Sequence, residues 1–180
     1  MSKKAIIISG NLAQDHEFIY PYYRLLEEEF QIDVCLPDGK EVQGILGTKI
    51  PPNKNQPIKK INDLSVEHYN LLILPGGVKA MEKIRQDKKI IKFISDFNQK
   101  KKVIGCICSG AQLLISAKVV KGRKISGYYS MQDDLTNAGA IYTDLPAVID
   151  HNIVTTAHYK DLGPWMRSVL KIFYDNYKKQ

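Results

Sequence analysis

The sequence predicts an α/β fold on a mainly parallel sheet, and three observations carry that expectation. Short apolar runs alternate with helical patterns along the whole chain, the signature of repeated strand-helix units. Those runs are continuous, as buried strands require. The chain has 180 residues, enough for one sizeable core, so residues 1–180 are read as a single domain.

The first strand is expected over residues 5–8, Ala-Ile-Ile-Ile. Glu17 then falls at or near the start of a helix that contains Pro21. Proline cannot donate to the carbonyl four residues earlier, that of Glu17, so regular helix is expected to be impaired there. Residues 32–36 read as a second strand. Residues 39–61 carry Gly39, Gly44, Gly47 and the run Pro51-Pro52-Asn53-Lys54-Asn55-Gln56-Pro57, which predicts a small hairpin excursion and then an exposed loop. Residues 71–74 and 103–107 read as buried strands, and Ile90, Ile91, Ile94 and Phe97 recur between them at helical spacing. In residues 141–156, Ala147-Val148-Ile149 and Ile153-Val154-Thr155-Thr156 flank Asp150-His151-Asn152 as a β-hairpin. A final helix is expected to start just after residues 161–164, with Met166, Val169, Leu170, Phe173 and Tyr177 as its apolar stripe.

Composition excludes several classes. Hydrophobic residues make up 44% and charged residues 25%, a globular balance rather than a disordered or coiled-coil one. No apolar run approaches the roughly 20 residues of a membrane helix. Met1-Ser2-Lys3-Lys4 leads straight into a strand, with no apolar leader or small-residue cleavage site, so a cytoplasmic protein is expected. Three cysteines cannot close a disulfide set, and no Cys/His spacing suits a metal. The formal net charge of +7 raises the question of nucleic acid. Its lysines, however, lie in short scattered runs (Lys59-Lys60, Lys88-Lys89, Lys100-Lys101-Lys102, Lys178-Lys179) without interleaved aromatics, which reads as solvated surface.

Cys108 is the most informative residue, because it stands where a strand ends and a helix begins at Gly110. Cys106-Ile107-Cys108-Ser109-Gly110 resembles a nucleophile elbow of the G-x-S-x-G type, with cysteine as nucleophile and Cys106 in place of the first glycine. A thiol there would face the positive end of the helix, favouring thiolate. The alternative is a buried structural cysteine. Pro75-Gly76-Gly77 follows the strand over 71–74, and its backbone N–H groups, with that of Ser109, could form an oxyanion hole; Pro-Gly-Gly is also an ordinary turn. Glu17, by itself, is equally an exposed helix-start carboxylate.

In several ordered motifs the chain resembles the ThiJ/PfpI family of the class I glutamine-amidotransferase-like superfamily. They are Glu17-Phe18-Ile19-Tyr20-Pro21-Tyr22, Leu74-Pro75-Gly76-Gly77, the segment 106–114 around Cys108, Lys121-Gly122-Arg123-Lys124, the segment 133–139 and Trp165-Met166. The resemblance is nearly full-length, and the nearest branch is that of the PfpI intracellular protease/amidase-like proteins. It implies a flavodoxin-like three-layer α/β/α sandwich, a homodimer or homohexamer and no cofactor. It also implies Cys108 as nucleophile, Glu17 as the acid hydrogen-bonded to it, and Glu82 as a residue reaching a neighbouring subunit's site. A thiol and a carboxyl in contact would share a proton, with protonated glutamic acid steadying the thiolate.

The departures matter too. Ser109 stands where the PfpI branch has histidine, and Tyr128 stands where the parkinsonism-associated branch brings a histidine from another loop. Tyr129 replaces a proline, and Thr156-Ala157-His158 replaces a Ser-Arg segment, which makes His158 a candidate acid/base group at the pocket. His16 is read as surface or pocket mouth, His68 and His151 as loop residues, and Cys35 as core.

The first functional expectation is a cysteine enzyme acting on a small-molecule electrophile, either a reactive dicarbonyl or an amide-like carbon. The missing histidine argues against proteolysis, since a departing amine needs a good acid. The second, from a different class, is a redox-responsive stress protein whose Cys108 is oxidised to a sulfinic acid. Nucleic-acid binding is the third and has no recognition motif behind it.

Overall fold

The computed structural model describes residues 3–177, without the Tyr177 side chain; Met1, Ser2 and the Lys178-Lys179 pair likewise lie outside the described residues. The chain runs through β1 (Lys4–Ile8), α1 (Asp15–Glu27), β2 (Gln31–Cys35), a hairpin of β3 (Val42–Gln43) and β4 (Lys49–Ile50), and β5 (Ile58–Lys59). It continues through β6 (Leu71–Leu74), α2 (Val78–Ile84), α3 (Lys88–Gln99), β7 (Val103–Ile107), α4 (Ala111–Ser116), β8 (Lys124–Ile125), α5 (Gln132–Asn137) and β9 (Ile141–Tyr142). It closes with β10 (Val148–Asp150), β11 (Ile153–Thr156) and α6 (Leu162–Tyr177).

Seven strands form the central sheet in the order β10-β11-β7-β6-β1-β2-β5. All neighbours pair in parallel except β10, which returns antiparallel on β11 as the predicted hairpin. Helices α1 and α6 pack together on one face, with α2, α3 and α4 on the other, giving the flavodoxin-like three-layer sandwich. Every residue of β6 and β7 is buried, which is why their sequences are apolar without alternation. Gly105 in β7 makes room for α6: a Cβ there would meet Trp165 Cζ2 at 3.1 Å and Val169 Cγ2 at 3.0 Å. Trp165 is fully buried and donates from Nε1 to the Val154 carbonyl at 3.0 Å.

Four details differ from the sequence reading. α1 runs unbroken through Pro21, because losing one bond to the Glu17 carbonyl is outweighed by burial of Phe18, Pro21, Tyr22 and Leu25 against the core. In α3 the buried stripe is Ile90, Phe93, Ile94 and Phe97, with Ile91 turned toward the edge. The segment after the excursion is not all loop, since Ile58–Lys59 adds an edge strand to β2. The final helix begins at Leu162, so Pro164 sits within its first turn, where an N–H has no partner to lose.

Strand order reverses between β1 and β6, and clefts in open α/β sheets form beyond the carboxyl ends of strands at such a point. The segments leaving β1, β6 and β7 there are Ser9 to Gln14, Pro75-Gly76-Gly77 and the Cys108 turn. The β3–β4 hairpin folds over the same edge. Its turn is held by the buried Asp15 carboxylate, which accepts from the Leu46 N–H at 2.7 Å and the Thr48 N–H at 2.9 Å.

Candidate active site

Cys108 occupies the sharp turn between β7 and α4 with φ at +59°, a left-handed conformation rare outside glycine and typical of a strained nucleophile elbow. The turn needs small neighbours. A Cβ on Gly110 would come within 2.6 Å of the Leu74 carbonyl oxygen and 2.9 Å of that of Pro75. From the other side the Cys108 carbonyl accepts the Tyr128 N–H at 3.2 Å, which ties that loop to the elbow.

Glu17, third residue of α1, is fully buried rather than an exposed helix-start carboxylate. Its Oε2 accepts the Gly76 N–H at 2.8 Å. Gly76 lies between Glu17 and Cys108: a Cβ there would run into Glu17 Oε2 and come within 3.1 Å of Cys108 Sγ. The glycine therefore permits the carboxyl and thiol to face each other, and each shifts the other's ionisation. The remaining oxygen, Oε1, is buried with no hydrogen-bond partner among the described residues.

Burial is the main force on both groups. It pushes the Glu17 carboxyl up to about 7, against the lowering effect of Cys108 and the Gly76 N–H. It pushes the Cys108 thiol up to about 12, helped by the Glu17 charge and opposed by the Ser109 N–H and hydroxyl. These shifts belong to the pair: the first proton leaves near neutral pH and the second only in strong alkali. A helix terminus contributes little to this balance. A single 3-10 turn, Cys108–Gly110, separates the cysteine from a six-residue helix, and desolvation outweighs what so short a dipole supplies.

A cleft of about 440 Å³ opens over the pair, and Glu17, Gly77, Cys108, Ser109, Tyr128 and His158 all line it. Gly76 stays behind the wall with its N–H committed to Glu17, so the expected oxyanion donor at 76 is unavailable and the Gly77 and Ser109 backbones remain as candidates. Gly77 has φ at +99°, and a Cβ there would come within 2.6 Å of Ala13 Cα, so the 12–14 loop and the glycine turn interlock. Glu82 lies away from this cleft, half exposed, 3.9 Å from Lys79 Nζ.

His158 reaches the cleft, but its Nδ1 accepts the Lys160 N–H at 3.2 Å, which leaves Nε2 as the protonated nitrogen of a neutral ring. Nδ1 is thereby committed to the backbone. His16 is exposed and stacks on Tyr159 with ring centres 5.1 Å apart, while His68 and His151 are exposed loop residues. Gln14, Ile45, Val78, Gln112, Met131 and Tyr159 also line the cleft and were not singled out in the sequence. Helical spacing points to Gln112, one turn after Cys108; nothing local points to Ile45, which arrives from the β3–β4 turn. Among the described residues no group of three His, Cys, Asp or Glu side chains could hold a metal ion.

All three cysteines are free, and only Cys108 opens on the cleft; Cys35 and Cys106 are buried in the core with thiols pushed well up by burial. Substoichiometric iodoacetamide should therefore label Cys108 at least about tenfold over the other two. Peptide mapping by mass spectrometry reads this directly, and even labelling of all three would contradict the site.

Comparison with known proteins gives a consistent picture. The DJ-1/PfpI family profile matches residues 3–172. Deglycase PfpI of Pyrococcus furiosus is 33% identical over 169 residues, 94% of this chain and 98% of that protein. Deglycase PH1704 of Pyrococcus horikoshii is likewise 33% identical over 169 residues, with the same coverage of both chains. The crystal structure of Drosophila melanogaster DJ-1beta superposes with a TM-score of 0.83 at 22% identity, covering 97% of this chain and 90% of the other, and so speaks to the fold.

Proposed function

Given that the chain belongs to the DJ-1/PfpI family, we propose that it is a cysteine-dependent enzyme of hydrolase or lyase type that converts small carbonyl electrophiles, reactive dicarbonyls above all. The observation that carries this reading is the buried Glu17 carboxyl set against Cys108 at a strained elbow, with a first ionisation near neutral pH. The relatives named deglycase support the hydrolase-type part of this reading.

One anionic charge is shared by the pair at physiological pH, and two features support a proton resting on the carboxyl. A buried carboxylate oxygen without a donor is costly, whereas a protonated one becomes a donor itself. Glu17 Oε1 lacks any donor, while Oε2 has the Gly76 N–H. On this reading Glu17 carries the proton and steadies the thiolate, and the Ser109 N–H also favours the charged sulfur.

With methylglyoxal the thiolate attacks the aldehyde carbon and the oxygen takes up a proton, giving a hemithioacetal. Glu17, now ionised, removes the proton from that carbon and returns it to the neighbouring carbonyl carbon through an enediol. The resulting thioester is hydrolysed by water, which releases lactate and restores the thiol. One water is consumed overall and no external oxidant or reductant enters. The Gly77 and Ser109 backbones and the Gln112 amide line the cleft and are the proposed donors to the developing oxyanion. Peptide cleavage is the poorer fit, because Ser109 follows the nucleophile and His158 spends Nδ1 on Lys160. Lactate formation from methylglyoxal, followed by NMR with Cys108→Ala as control, tests the reading.

A further inference from the structure

The cleft walls are unusual in their chemistry. No lysine or arginine lines them, although the chain carries 26 such residues. The single acid among them is Glu17. The cleft's apolar walls are Ile45, Val78 and Met131 with the rings of Tyr128, His158 and Tyr159, and its other polar groups, Gln14, Ser109, Gln112 and Ser130, are uncharged.

Those rings brace one another. His158 lies 4.0 Å from the Tyr159 ring centre, 6.1 Å from Tyr129 and 6.3 Å from Tyr128, near parallel to the last two. The Lys160 ammonium lies over the Tyr129 ring, 5.6 Å from its centre, and outside the lining. Tyr128 and Tyr159 keep 39% and 42% of their surfaces bare, so a fixed aromatic face is presented to solvent.

Arg85 would be the natural anion receptor nearby, but it stands behind the wall. It donates from Nε to Ser116 Oγ at 3.0 Å and from Nη1 to Gln112 Oε1 at 3.5 Å. A guanidinium only donates, so the Gln112 carbonyl must face it and the Gln112 NH₂ group is the end left for the cleft. The site thus offers a neutral donor where a cation could have stood.

An anionic substrate would lose its hydration here with no countercharge and would meet the negative charge of the Cys108–Glu17 pair. A flat apolar group would instead find a preformed aromatic wall in a cleft large enough for more than a three-carbon molecule. Resting on the dicarbonyl reading above, we propose that the cleft selects uncharged 2-oxoaldehydes with a planar apolar substituent and rejects anionic carbonyl compounds. An aryl glyoxal would follow the route already described: the C1 proton moves to C2, one water is added, and the product is the 2-hydroxy acid.

Steady-state kinetics at pH 8 on phenylglyoxal, methylglyoxal and 4-carboxyphenylglyoxal, an anionic 2-oxoaldehyde of the same chemistry, tests the selectivity. The expected kcat/KM for phenylglyoxal is at least about tenfold above methylglyoxal, chiefly through KM, and 4-carboxyphenylglyoxal falls at least about a hundredfold below phenylglyoxal. Tyr159→Ala should bring the phenylglyoxal to methylglyoxal ratio down to about threefold or less. A ratio near one in the wild type, a ratio unmoved by Tyr159→Ala, or turnover of 4-carboxyphenylglyoxal as efficient as that of phenylglyoxal overturns the proposal. Equilibrium binding to the unreactive Cys108→Ala protein separates this from the enzymatic reading. Acetophenone binding at least about tenfold tighter than pyruvate upholds the selectivity even if the wild type turns over nothing, and equal binding overturns it.

Discussion

Cys108→Ala should lower kcat/KM toward methylglyoxal by at least about 1,000-fold while leaving the fold intact. The size of the effect follows from the chemistry: without Sγ there is no hemithioacetal, and Glu17 is left beside a substrate it cannot activate. The fold should tolerate the change because Cβ, which packs against Gly76, is retained and only the sulfur at the floor of the cleft is lost. The checks are lactate production and the thermal unfolding midpoint, measured on the same preparation. Lactate formed at the wild-type rate by the alanine variant would remove Cys108 from the reaction.

Glu17→Gln should produce the second large effect, and in two directions at once. Glutamine keeps the volume and can still accept the Gly76 N–H, but it cannot carry a proton between adjacent carbons, so kcat/KM should fall about 100- to 10,000-fold. Stability should rise at alkaline pH. The carboxyl is pushed from an ordinary 4.5 to about 7 by burial, so the folded state holds its proton more tightly than the unfolded chain does. The stability tied to this proton is therefore complete below about pH 4.5 and is lost as the Cys108–Glu17 pair releases its first proton near 7. The deficit is on the order of 3 kcal/mol, and glutamine removes it. Urea denaturation of both proteins at pH 5 and pH 8 reads this difference. A variant no more stable than wild type at pH 8, relative to pH 5, would mean that Glu17 is not held protonated by the fold. The same burial that makes Glu17 costly to ionise makes it useful as a proton carrier, so function and stability oppose each other at this position.

The central strands were legible because full burial leaves no choice of residue: Ala5 to Ile8, Leu71 to Leu74 and Val103 to Ile107 must be apolar on both faces. The elbow was legible for a related reason, since Gly110 can only be small against the carbonyls of Leu74 and Pro75. What lay hidden was set by distance along the chain. Ile45 reaches the cleft because Asp15, thirty-odd residues away, captures the N–H groups of Leu46 and Thr48, and no local pattern encodes that capture. The Gly76 N–H read as an oxyanion donor from its position after a strand, yet it is consumed by Glu17 from another helix. Pro21 read as a breaker because the rule considers one hydrogen bond, whereas the helix is held by the face it buries. The depth at which Cys108 and Glu17 are buried was hidden for the same reason, because a helix end can be read in sequence and burial cannot.

In the proposed mechanism Glu17 holds the shared proton so that Cys108 is the anion at neutral pH. Thiolate absorbance near 240 nm, taken as wild type minus Cys108→Ala across a pH titration, reports that state directly. The arrangement predicts a thiolate step with its midpoint close to the first ionisation of the pair, about 7. A step that appears only near the second, about 12, would place the charge on Glu17 and the proton on sulfur, and would contradict it.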